Sequence, residues 1–337
     1  MIIPKVSIII PFFNPGKLFS DCLNTASNQS LKDIEIICVD DGSTDDESLS
    51  ILSEFSNDNR FKIIHQENCG AGSARNKAID SANGEFILFL DADDWIELDA
   101  CEKLYNHAIN LNSDIVLFDV IWHYKNNRTK KISYFSKNEF KEDYNSFTFD
   151  CHYVKNKMMR GILGVIWSKF YKTSFIKENK IRFPSHKIYN DIEFHFKTML
   201  LAESISYLPE SLYNYNFINQ PSLQNSFRDT KYELCWFDVM IGIRNFLNEN
   251  DLMNDFKKEF FNFFLSYSSS KLDSINDEFK NSFYFKLKYF FESLNLSKND
   301  LKLLNHKNLV FYIHIINSRD YAAFIHIQKN FNGKIFK

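Results

Sequence analysis

The chain has 337 residues, of which 45% are hydrophobic, so it is too apolar for a disordered protein and long enough for one large domain with an appendage. Lysine and arginine total 40 against 43 acidic residues, and the formal net charge of -3 lacks the basic excess of most nucleic-acid-binding proteins. The composition therefore indicates a globular protein and gives no reason to expect a nucleic-acid partner.

The sequence carries no targeting or membrane signal that we recognise. No apolar stretch approaches the roughly 20 residues that a membrane-spanning helix needs. Residues 1–6 lack the charged region and apolar run of a secretory signal peptide. The cysteines include no C-x-x-C pair, which argues against a zinc site and against a disulfide framework. We therefore expect a cytoplasmic protein with reduced thiols.

The first 120 residues alternate short apolar runs with helical patterns. Strands are predicted over 6–10, 34–39, 61–64, 86–90 and 114–118, the first of them ended by Pro11. Helices are predicted over 17–28, from 43–47 onward, over 72–83 and over 97–110. Strands that are apolar throughout and alternate with helices predict an α/β fold with a mainly parallel, Rossmann-like sheet covered by helices. Ligands of such sheets bind beyond the carboxyl ends of the strands.

The pattern changes twice in the rest of the chain. Residues 126–160 are polar, rich in lysine and asparagine, and show no clear period. Compact structure is expected to resume at 164–169, and the sequence becomes helical in character after about residue 227. A helical appendage is therefore predicted at the C-terminal end.

Acidic clusters follow two of the predicted strands. Asp40 and Asp41 end the second strand, and Asp91, Asp93 and Asp94 follow the fourth. Two acidic clusters at one sheet edge are costly unless a positive or hydrogen-bond-donating group lies between them. A divalent cation that carries a nucleotide diphosphate meets both needs, and carboxylates one residue apart suit Mg²⁺ or Mn²⁺. Helix N-capping by Asp93 and Asp94 is the alternative, although it does not account for three carboxylates within four residues.

Three other phosphate-binding motifs are excluded. The segment Gly70-Ala-Gly72-Ser-Ala-Arg75 imitates a dinucleotide fingerprint, but it places Arg75 at the third glycine position and follows the third strand. A phosphatase with an aspartyl nucleophile would carry Asp-x-Asp after the first strand, with Thr or Val shortly after it, and neither condition holds in this sequence. The G-x-x-x-x-G-K-[ST] loop of P-loop ATPases is absent from the sequence.

In the order and spacing of its motifs, the chain resembles a GT-A fold glycosyltransferase of family 2, a group of inverting enzymes that use nucleotide-diphosphate sugars. The matching blocks extend over roughly residues 3–225 and are strongest up to Asp99. They are Ser7 to Pro11 with Asn14, Asp40 to Asp45, Gly70 with Ala74 to Asn76, Gly84 with Glu85, and Phe89 to Trp95. The resemblance implies a GT-A catalytic domain over 1–225, with a nucleotide-sugar-binding part at 1–120 and an acceptor and base part at 121–225. The helical C-terminal region would be 226–337.

The resemblance also implies how the donor would be bound. The nucleotide-sugar would contact Pro11, Asn14, Asp40, Asp41, Arg75, Asp91 and Ala92. Asp40 or Asp41 would accept hydrogen bonds from uracil and ribose, while Arg75 would lie near the diphosphate or pair with an acidic cluster. Asp93 would be the direct ligand of Mg²⁺ or Mn²⁺, and Asp91 would bind ribose or, through water, the metal.

An inverting transfer needs a base on the face opposite the leaving group. The resemblance aligns Asp191 with this base, and Glu193 is the reserve candidate. Asn190 occupies the position where the family usually has Glu, so the orienting contact of that Glu is in question here. An acid at a helix N-terminus, stabilised by the macrodipole, is the alternative for Asp191. Residues 213–215 and 220–222 resemble the loop that closes over the diphosphate in related enzymes, and His195 is expected to be packed or solvated.

Two aromatic-rich segments, 256–265 and 283–291, predict helices in the C-terminal region. They could pack on the catalytic domain, contact a membrane surface or a lipid acceptor, or form a homo-oligomer interface. The predicted enzyme moves a hexosyl or N-acetylhexosaminyl group from a UDP-sugar to a hydroxyl of a glycan or lipid-linked glycan. It would act in cell-surface polysaccharide or glycoconjugate synthesis, in the cytoplasm or at the cytoplasmic face of the membrane. A nucleotidyltransferase and an inactive family member that serves as a binding subunit remain alternatives.

Overall fold

The structure is a computed structural model that describes residues 3–136, 139–158, 164–186, 188–217 and 234–330. The chain separates into two compact units, Met1–Gln220 and Pro221–Lys337. In the part of the chain that the structure describes, we find no helix with both the length and the apolar character that crossing a bilayer requires.

A nine-stranded sheet forms the centre of the N-terminal unit. Its strands are β1 Val6–Phe12, β2 Ile34–Asp40, β3 Phe61–His65, β4 Phe86–Phe89, β5 Trp95–Ile96, β6 Ile115–Tyr124, β7 Arg128–Ile132, β8 Lys169–Lys172 and β9 Ile205–Asn216. The strand order is β3-β2-β1-β4-β8-β6-β9-β5, and β7 pairs with β6. The first four strands are parallel, as are β6 and β9, whereas β5, β7 and β8 pair antiparallel.

Helices follow most strands of this unit. They are α1 Leu18–Ser27, α2 Asp46–Glu54, α3 Ala71–Ser81, α4 Ala100–Leu111, α5 Lys155–Met158, α6 Thr173–Glu178 and α7 Asn190–Leu201. All seven residues of β1 are buried, as expected for a strand in a sheet that is covered on both faces. The predicted α/β class, with helices covering a Rossmann-like sheet, is confirmed.

The first strand is longer than the predicted one, because Pro11 does not end it. Pro11 pairs with Val39 and the strand continues to Phe12. On the other side of β1, the pairing with β4 stops at Ile9 and Phe89. The missing N–H of Pro11 therefore leaves no bond of that ladder unmade.

Two further elements differ from the predicted ones. The segment predicted to lack a period contains β7, which forms a hairpin with β6 through a short 3₁₀ turn, Lys125–Asn127. Asn126 and Asn127 have φ of 65° and 56°, a left-handed conformation that asparagine tolerates better than most residues. The helix predicted from residue 97 begins at Ala100, because residues 95–96 form β5 against β9 instead.

The C-terminal unit is helical. Its described helices are α8 Cys235–Glu249, α9 Met253–Ser274, α10 Asp277–Leu294, α11 Lys298–Leu301, α12 His306–Asn317 and α13 Tyr321–Asn330. The two aromatic-rich segments lie in α9 and α10, where the ring of Phe264 is 4.4 Å from Phe290 and 5.4 Å from Phe291. These buried rings form the core of the unit itself, while Phe285 and Tyr289 on α10 are exposed.

Candidate active site

The acidic motif after β4 is fixed to β9 by its last residue. Asp94 is fully buried, its Oδ2 accepts from the Tyr213 hydroxyl at 2.6 Å, and its Oδ1 accepts from the Asn216 N–H at 2.7 Å. Burial raises the pKa of Asp94, and the neighbouring carboxylates Asp93 and Asp91 add to that shift. The suggestion that Asp94 caps a helix is wrong, because a strand follows it and its carboxylate binds β9.

Asp91 and Asp93 are the partly exposed carboxylates of this motif. Burial and, to a smaller extent, the charge of Asp91 raise the pKa of Asp93 to about 6. Ala92 is buried between them. The described residues hold no group of three or more His, Cys, Asp or Glu side chains that could enclose a metal alone. Mg²⁺ commonly takes one or two protein carboxylates together with substrate phosphates, so this pair fits a cation that shares its ligands with a diphosphate.

Arg75 joins the acidic motif to the start of α7. The Arg75 Nη2 donates to Asp91 Oδ1 at 2.8 Å, and Nη1 donates to Asn190 Oδ1 at 3.2 Å. The guanidinium also lies over the ring of Phe183, with 5.5 Å between the guanidinium carbon and the ring centroid. Arg75 is 8% exposed, so its charge acts in a poorly hydrated environment. For Arg75, the structure therefore shows the second of the two predicted contacts, an ion pair with an acidic cluster.

Asp191 is the first acidic residue of α7 and lies next to this bridge. Burial raises the pKa of the Asp191 carboxyl, whereas the positive charge of Arg75 and the N–H groups of Asp191 and Ile192 oppose that rise. The charge of Asp91 is close enough to raise it further. A carboxylate with a raised pKa near an acidic motif has the electrostatics expected of a general base.

Glu193, the reserve candidate for the base, is engaged elsewhere. Its Oε1 lies 2.6 Å from Lys197 Nζ, and its Oε2 lies 3.9 Å from His186 Nε2. Two residues further along α7, His195 is fully buried and its Nε2 lies 3.2 Å from the Met158 carbonyl oxygen. His195 is therefore a packed histidine, which is one of the two predicted options, packed or solvated.

The acidic residues after β2 organise the loops around them. Asp41 accepts from Gln66 Nε2 at 2.7 Å and from the N–H groups of Cys69 and Gly70, both at 2.8 Å. The Asp41 carboxylate thus holds the loop that begins α3, the helix that carries Arg75. Asp40 Oδ1 accepts from the Ser43 N–H at 2.8 Å.

His65 pairs with the other oxygen of Asp40, at 3.0 Å between Nδ1 and Oδ2. Asp40 is 5% exposed. With one protein donor on each oxygen, its carboxylate retains acceptor sites for a ligand.

Asn14 links the end of β1 to the loop before α2. The Asn14 Oδ1 accepts from the Thr44 N–H at 2.8 Å and from the Asp45 N–H at 3.2 Å, and its own N–H donates to Ser43 Oγ at 3.1 Å. Pro11 lies buried three residues earlier in β1. Pro11 and Asn14 therefore lie at the carboxyl end of β1, next to the end of β2. This is the sheet edge where ligands of such folds bind.

Two contacts that shape this site could not be predicted from the sequence. Asn76, the residue after Arg75 in α3, donates from Nδ2 to the Phe183 carbonyl at 2.9 Å and accepts from the Phe183 N–H at 2.9 Å. Tyr213 binds Asp94 and also accepts from the Asp91 N–H at 3.2 Å. Asn76 stood in a recognised block, but no local pattern indicates its partner. Residues 220–222 of the expected loop lie outside the described residues.

Known proteins share both the sequence motifs and the fold. A sequence model described as Glycosyl transferase family 2 matches residues 7–167. The putative glycosyltransferase EpsH of Bacillus subtilis is 33% identical over 272 residues, which are 79% of this chain and 76% of that protein. The cholesterol galactosyltransferase of Borreliella burgdorferi is 32% identical over 282 residues, 81% of this chain and 77% of that protein.

Solved structures add a comparison of the fold. The crystal structure of S. aureus TarS 1-349 in complex with UDP-GlcNAc superposes with a TM-score of 0.70 and covers 92% of this chain and 90% of that one. Its sequence identity of 23% makes this a likeness of fold alone.

Proposed function

The chain belongs to glycosyltransferase family 2, and from this premise we propose that it transfers a sugar from a UDP-sugar to an acceptor hydroxyl with inversion at the anomeric carbon. It is a glycosyltransferase with the GT-A fold. The transferred group would be a hexosyl or N-acetylhexosaminyl group, and the product a cell-surface polysaccharide or glycoconjugate. The observation that carries the proposal is the Arg75 bridge between Asp91 and Asn190, which supports a single site formed by the acidic motif and Asp191.

Asp191 is the proposed base. Its carboxylate takes the proton of the acceptor hydroxyl while the hydroxyl oxygen forms a bond to the anomeric carbon. The bond from that carbon to the diphosphate oxygen breaks on the opposite face, and its electron pair leaves with UDP. The raised pKa of Asp191 favours this role, because a base is most effective when its pKa is closer to the working pH.

Asp93 and Asp91 are the residues that would hold Mg²⁺ or Mn²⁺. When bound, the cation supplies positive charge to the oxygens of the departing diphosphate. Arg75 presents a second positive charge beside Asp91 at the same place. Asp94 does not enter this set, since its carboxylate anchors the motif to β9.

The nucleotide part of the donor is proposed to lie over the ends of β1 and β2. Asp40 or Asp41 would accept from uracil and ribose, with Pro11 and Asn14 forming the wall of that site. Asp40 is the stronger candidate for uracil or ribose contact, because Asp41 already accepts three hydrogen bonds from the protein. The UDP-GlcNAc complex of TarS, which shares the fold, supports a uridine nucleotide in this chain.

Calorimetric binding of UDP, GDP and CMP, each with and without Mn²⁺, tests the proposal on wild type and Asp93→Ala. We expect UDP to bind in the presence of Mn²⁺ and the binding to be lost in the variant. Asp99→Asn, which removes an exposed acid paired with Lys103 at 2.9 Å, is the matched control and should bind UDP as wild type does. UDP binding that does not depend on Mn²⁺, or no binding of any of the three nucleotides, would contradict the proposed site.

The anomeric configuration of the product identifies the stereochemistry of the transfer. Once a UDP-sugar substrate is found, the anomeric coupling constant in the NMR spectrum of the product reports its configuration. Inversion predicts the configuration opposite to that of the donor. Retention would exclude Asp191 as a base in a single displacement.

A further inference from the structure

Three strands beside the acidic motif present one aromatic and cationic face. Residues that pair across strands point to the same face of a sheet. The register pairs Trp122 with both Tyr215 and Lys130, and it pairs Tyr124 with Arg128. We call this face the aromatic ledge and define it by Trp122, Tyr124, Arg128, Lys130, Tyr215 and Phe217.

Phe217 belongs to this face although β9 ends one residue earlier. Its N–H donates to the His123 carbonyl at 2.8 Å, so the pairing of β9 with β6 continues. The Phe217 ring centroid lies 5.7 Å from Trp122 and 5.2 Å from Tyr124, and the ring is 43% exposed. Exposed rings held by neighbouring rings form a rigid surface, which loses little entropy when a ligand binds.

A wide depression, open to solvent, lies at the outer end of the ledge. It has a volume of ≈ 750 Å³ and is lined by Tyr124, Lys125, Asn126, Arg128 and Phe217. This volume is in the range of sites for small molecules and short oligomers. The Arg128 guanidinium carbon stands 5.0 Å from the Tyr124 ring centroid, which orients the cation toward the same space.

The charge of the ledge is uniformly positive. Residues 120–136 contain four lysines and arginines and no acidic residue. Lys131, on the opposite face, pairs with the buried Asp119 at 2.9 Å. Among the described residues, Lys125, Arg128 and Lys130 have no carboxylate within ion-pair distance. Such a group of cations is suited to a partner that brings negative charge.

The ledge starts at the acidic motif and extends away from the proposed nucleotide site. Asn216, whose N–H binds Asp94, is the residue before Phe217. Tyr215 of the ledge lies near the motif: burial raises the pKa of its hydroxyl, and the charges of Asp94, Asp91 and Asp93 raise it further. In the strand order, β6 and β9 lie on one side of β4, and the strands of the nucleotide site lie on the other. A ligand on the ledge would therefore lie beside the acidic motif, on the side away from the proposed nucleotide site.

We propose that the aromatic ledge binds an anionic glycan acceptor, whose sugar rings stack on Tyr124 and Phe217 and whose phosphate or carboxylate groups pair with Lys125, Arg128 and Lys130. This inference rests on the proposed glycosyl transfer and adds the chemical class of its acceptor. Apolar C–H faces of sugars match flat aromatic rings, and the fork of arginine matches phosphate and carboxylate oxygens.

A lipid surface is a weaker match to the same face. Helices and loops that enter a bilayer present several protruding apolar side chains. Among the described residues of the ledge, Phe217 is the only large apolar side chain with substantial exposure, at 43%. The hydroxyl of Tyr124 and the three cations are better suited to a hydrated, charged carbohydrate.

Calorimetry with oligosaccharides of defined charge tests the ledge. The probes are a galacturonic acid oligomer, a glycerol phosphate oligomer, the neutral glucose oligomer maltohexaose and inorganic polyphosphate. We expect at least one anionic oligomer to bind, more weakly at high salt, and at least about tenfold more tightly than maltohexaose. Which of the two binds more tightly identifies phosphate or carboxylate as the charge that is recognised.

Two variants separate stacking from charge. Phe217→Ala should weaken binding of the preferred oligomer about tenfold, the effect of one lost aromatic contact. The double variant Arg128→Gln with Lys130→Gln should weaken it by about tenfold or more and reduce its salt dependence. Tyr289→Ala, which removes a ring that is 76% exposed in the C-terminal unit, is the control and should leave binding unchanged.

The outcomes that overturn the proposal are distinct. Equal binding of maltohexaose would exclude an anionic ligand, and polyphosphate binding that is insensitive to Phe217→Ala would mean a simple anion site. Binding to phosphatidylglycerol vesicles without binding to any oligomer would assign the ledge to a membrane. Manganese-dependent UDP binding, measured on each variant, serves as the check of folding. If wild type binds no UDP, the proposed function fails; if it binds UDP but no oligomer, only the ledge proposal fails.

Discussion

Arg75 Nη2 lies 2.8 Å from Asp91 Oδ1, and this ion pair connects the helix after β3 to the motif proposed to hold the metal. Arg75 is largely shielded from bulk water and Asp91 is partly shielded, so the pair is stronger than one on the surface and costly to break. The same guanidinium reaches Asn190, the neighbour of the proposed base. One side chain thereby connects the proposed metal-binding motif to the start of the helix that carries the proposed base.

Asp191→Asn should lower kcat by about 10²–10⁴-fold, because the acceptor hydroxyl loses its base. Binding of UDP with Mn²⁺ should be retained, since the residues proposed for the donor are unchanged. Steady-state kinetics and calorimetry on the same preparation check both expectations.

Glu193→Gln is the control for this change, because Glu193 is paired with Lys197 on the same helix. Its kcat should stay within a few-fold of wild type. If Glu193→Gln abolished activity while Asp191→Asn kept it, the base would be Glu193.

The pH dependence of kcat/KM should reveal the raised pKa of Asp191. The base must be ionised, so activity falls as the pH drops through that pKa, which lies above the usual aspartate value of about 4. Arg75→Met removes the positive charge that opposes the rise, so the acidic limb should move to higher pH. An acidic limb that does not move in Arg75→Met would show that another group titrates.

The same raised pKa predicts a stability effect of opposite sign to the activity effect. A carboxyl whose pKa is higher in the folded state than in the unfolded state destabilises the fold when it is ionised. This penalty is present above the folded pKa and disappears as the pH falls through it toward the unfolded value. Asp191→Asn should therefore raise the midpoint of urea unfolding at pH about 7.5, and the gain should shrink in acid. An equal rise of the urea midpoint at all pH values would show that the ionisation of Asp191 is not its cause.

Tyr213→Phe should weaken both the fold and the donor site. It removes the hydroxyl that donates to the buried Asp94 and accepts from the Asp91 N–H, at a cost of about 1–3 kcal/mol in unfolding free energy. Tyr207→Phe is the matched control, because that buried hydroxyl donates to Asp119 at 2.7 Å, away from the acidic motif. Both variants should unfold at lower urea, but only Tyr213→Phe should weaken manganese-dependent UDP binding. Equal UDP affinities in the two variants would show that the Tyr213 contact does not support the site.

Gly84→Ala should be severely destabilising. A Cβ at Gly84 would lie 2.5 Å from Ser7 N and 2.7 Å from the Val6 carbonyl carbon, and these backbone atoms belong to the central strand β1. We expect a loss of about 3 kcal/mol or more in unfolding free energy, measured by urea denaturation. Gly164→Ala, where a Cβ would meet no atom within 4 Å, should change stability little. A small effect at Gly84 would mean that β1 shifts easily.

The parallel half of the sheet could be predicted because its strands are local apolar runs. β2 shows the pattern, since six of its seven residues are buried and one is half-buried. β8 has no such signal: it begins with Lys169, a lysine that is fully buried and lies near Tyr134, and a lysine in a sequence indicates solvent. β9 alternates tyrosine with asparagine and contains a proline, so its sequence does not distinguish a strand from a loop.

The candidate site was predictable where it depends on strand ends and not where it depends on distant contacts. Parallel strands bring Asp40 and Asp91 to one edge of the sheet whatever their neighbours are. The partner of Asp94 is Tyr213, 119 residues away, and no periodicity or spacing indicates such a pair. For the same reason, the bridge from Arg75 to Asn190 became visible only in the fold.

The position of β8 between β4 and β6 constrains how the protein is made. A chain leaving the ribosome can assemble β1 to β4 early, because those strands are joined by short helical connections. β6 emerges later but does not pair with β4 directly, since the strand that separates the two ends only at Lys172. Until then, the nascent chain presents the apolar edge of β4 as an open template for pairing with other chains. Translation pauses between residues 90 and 172 would therefore prolong exposure to aggregation, and this interval is where a chaperone would be most effective.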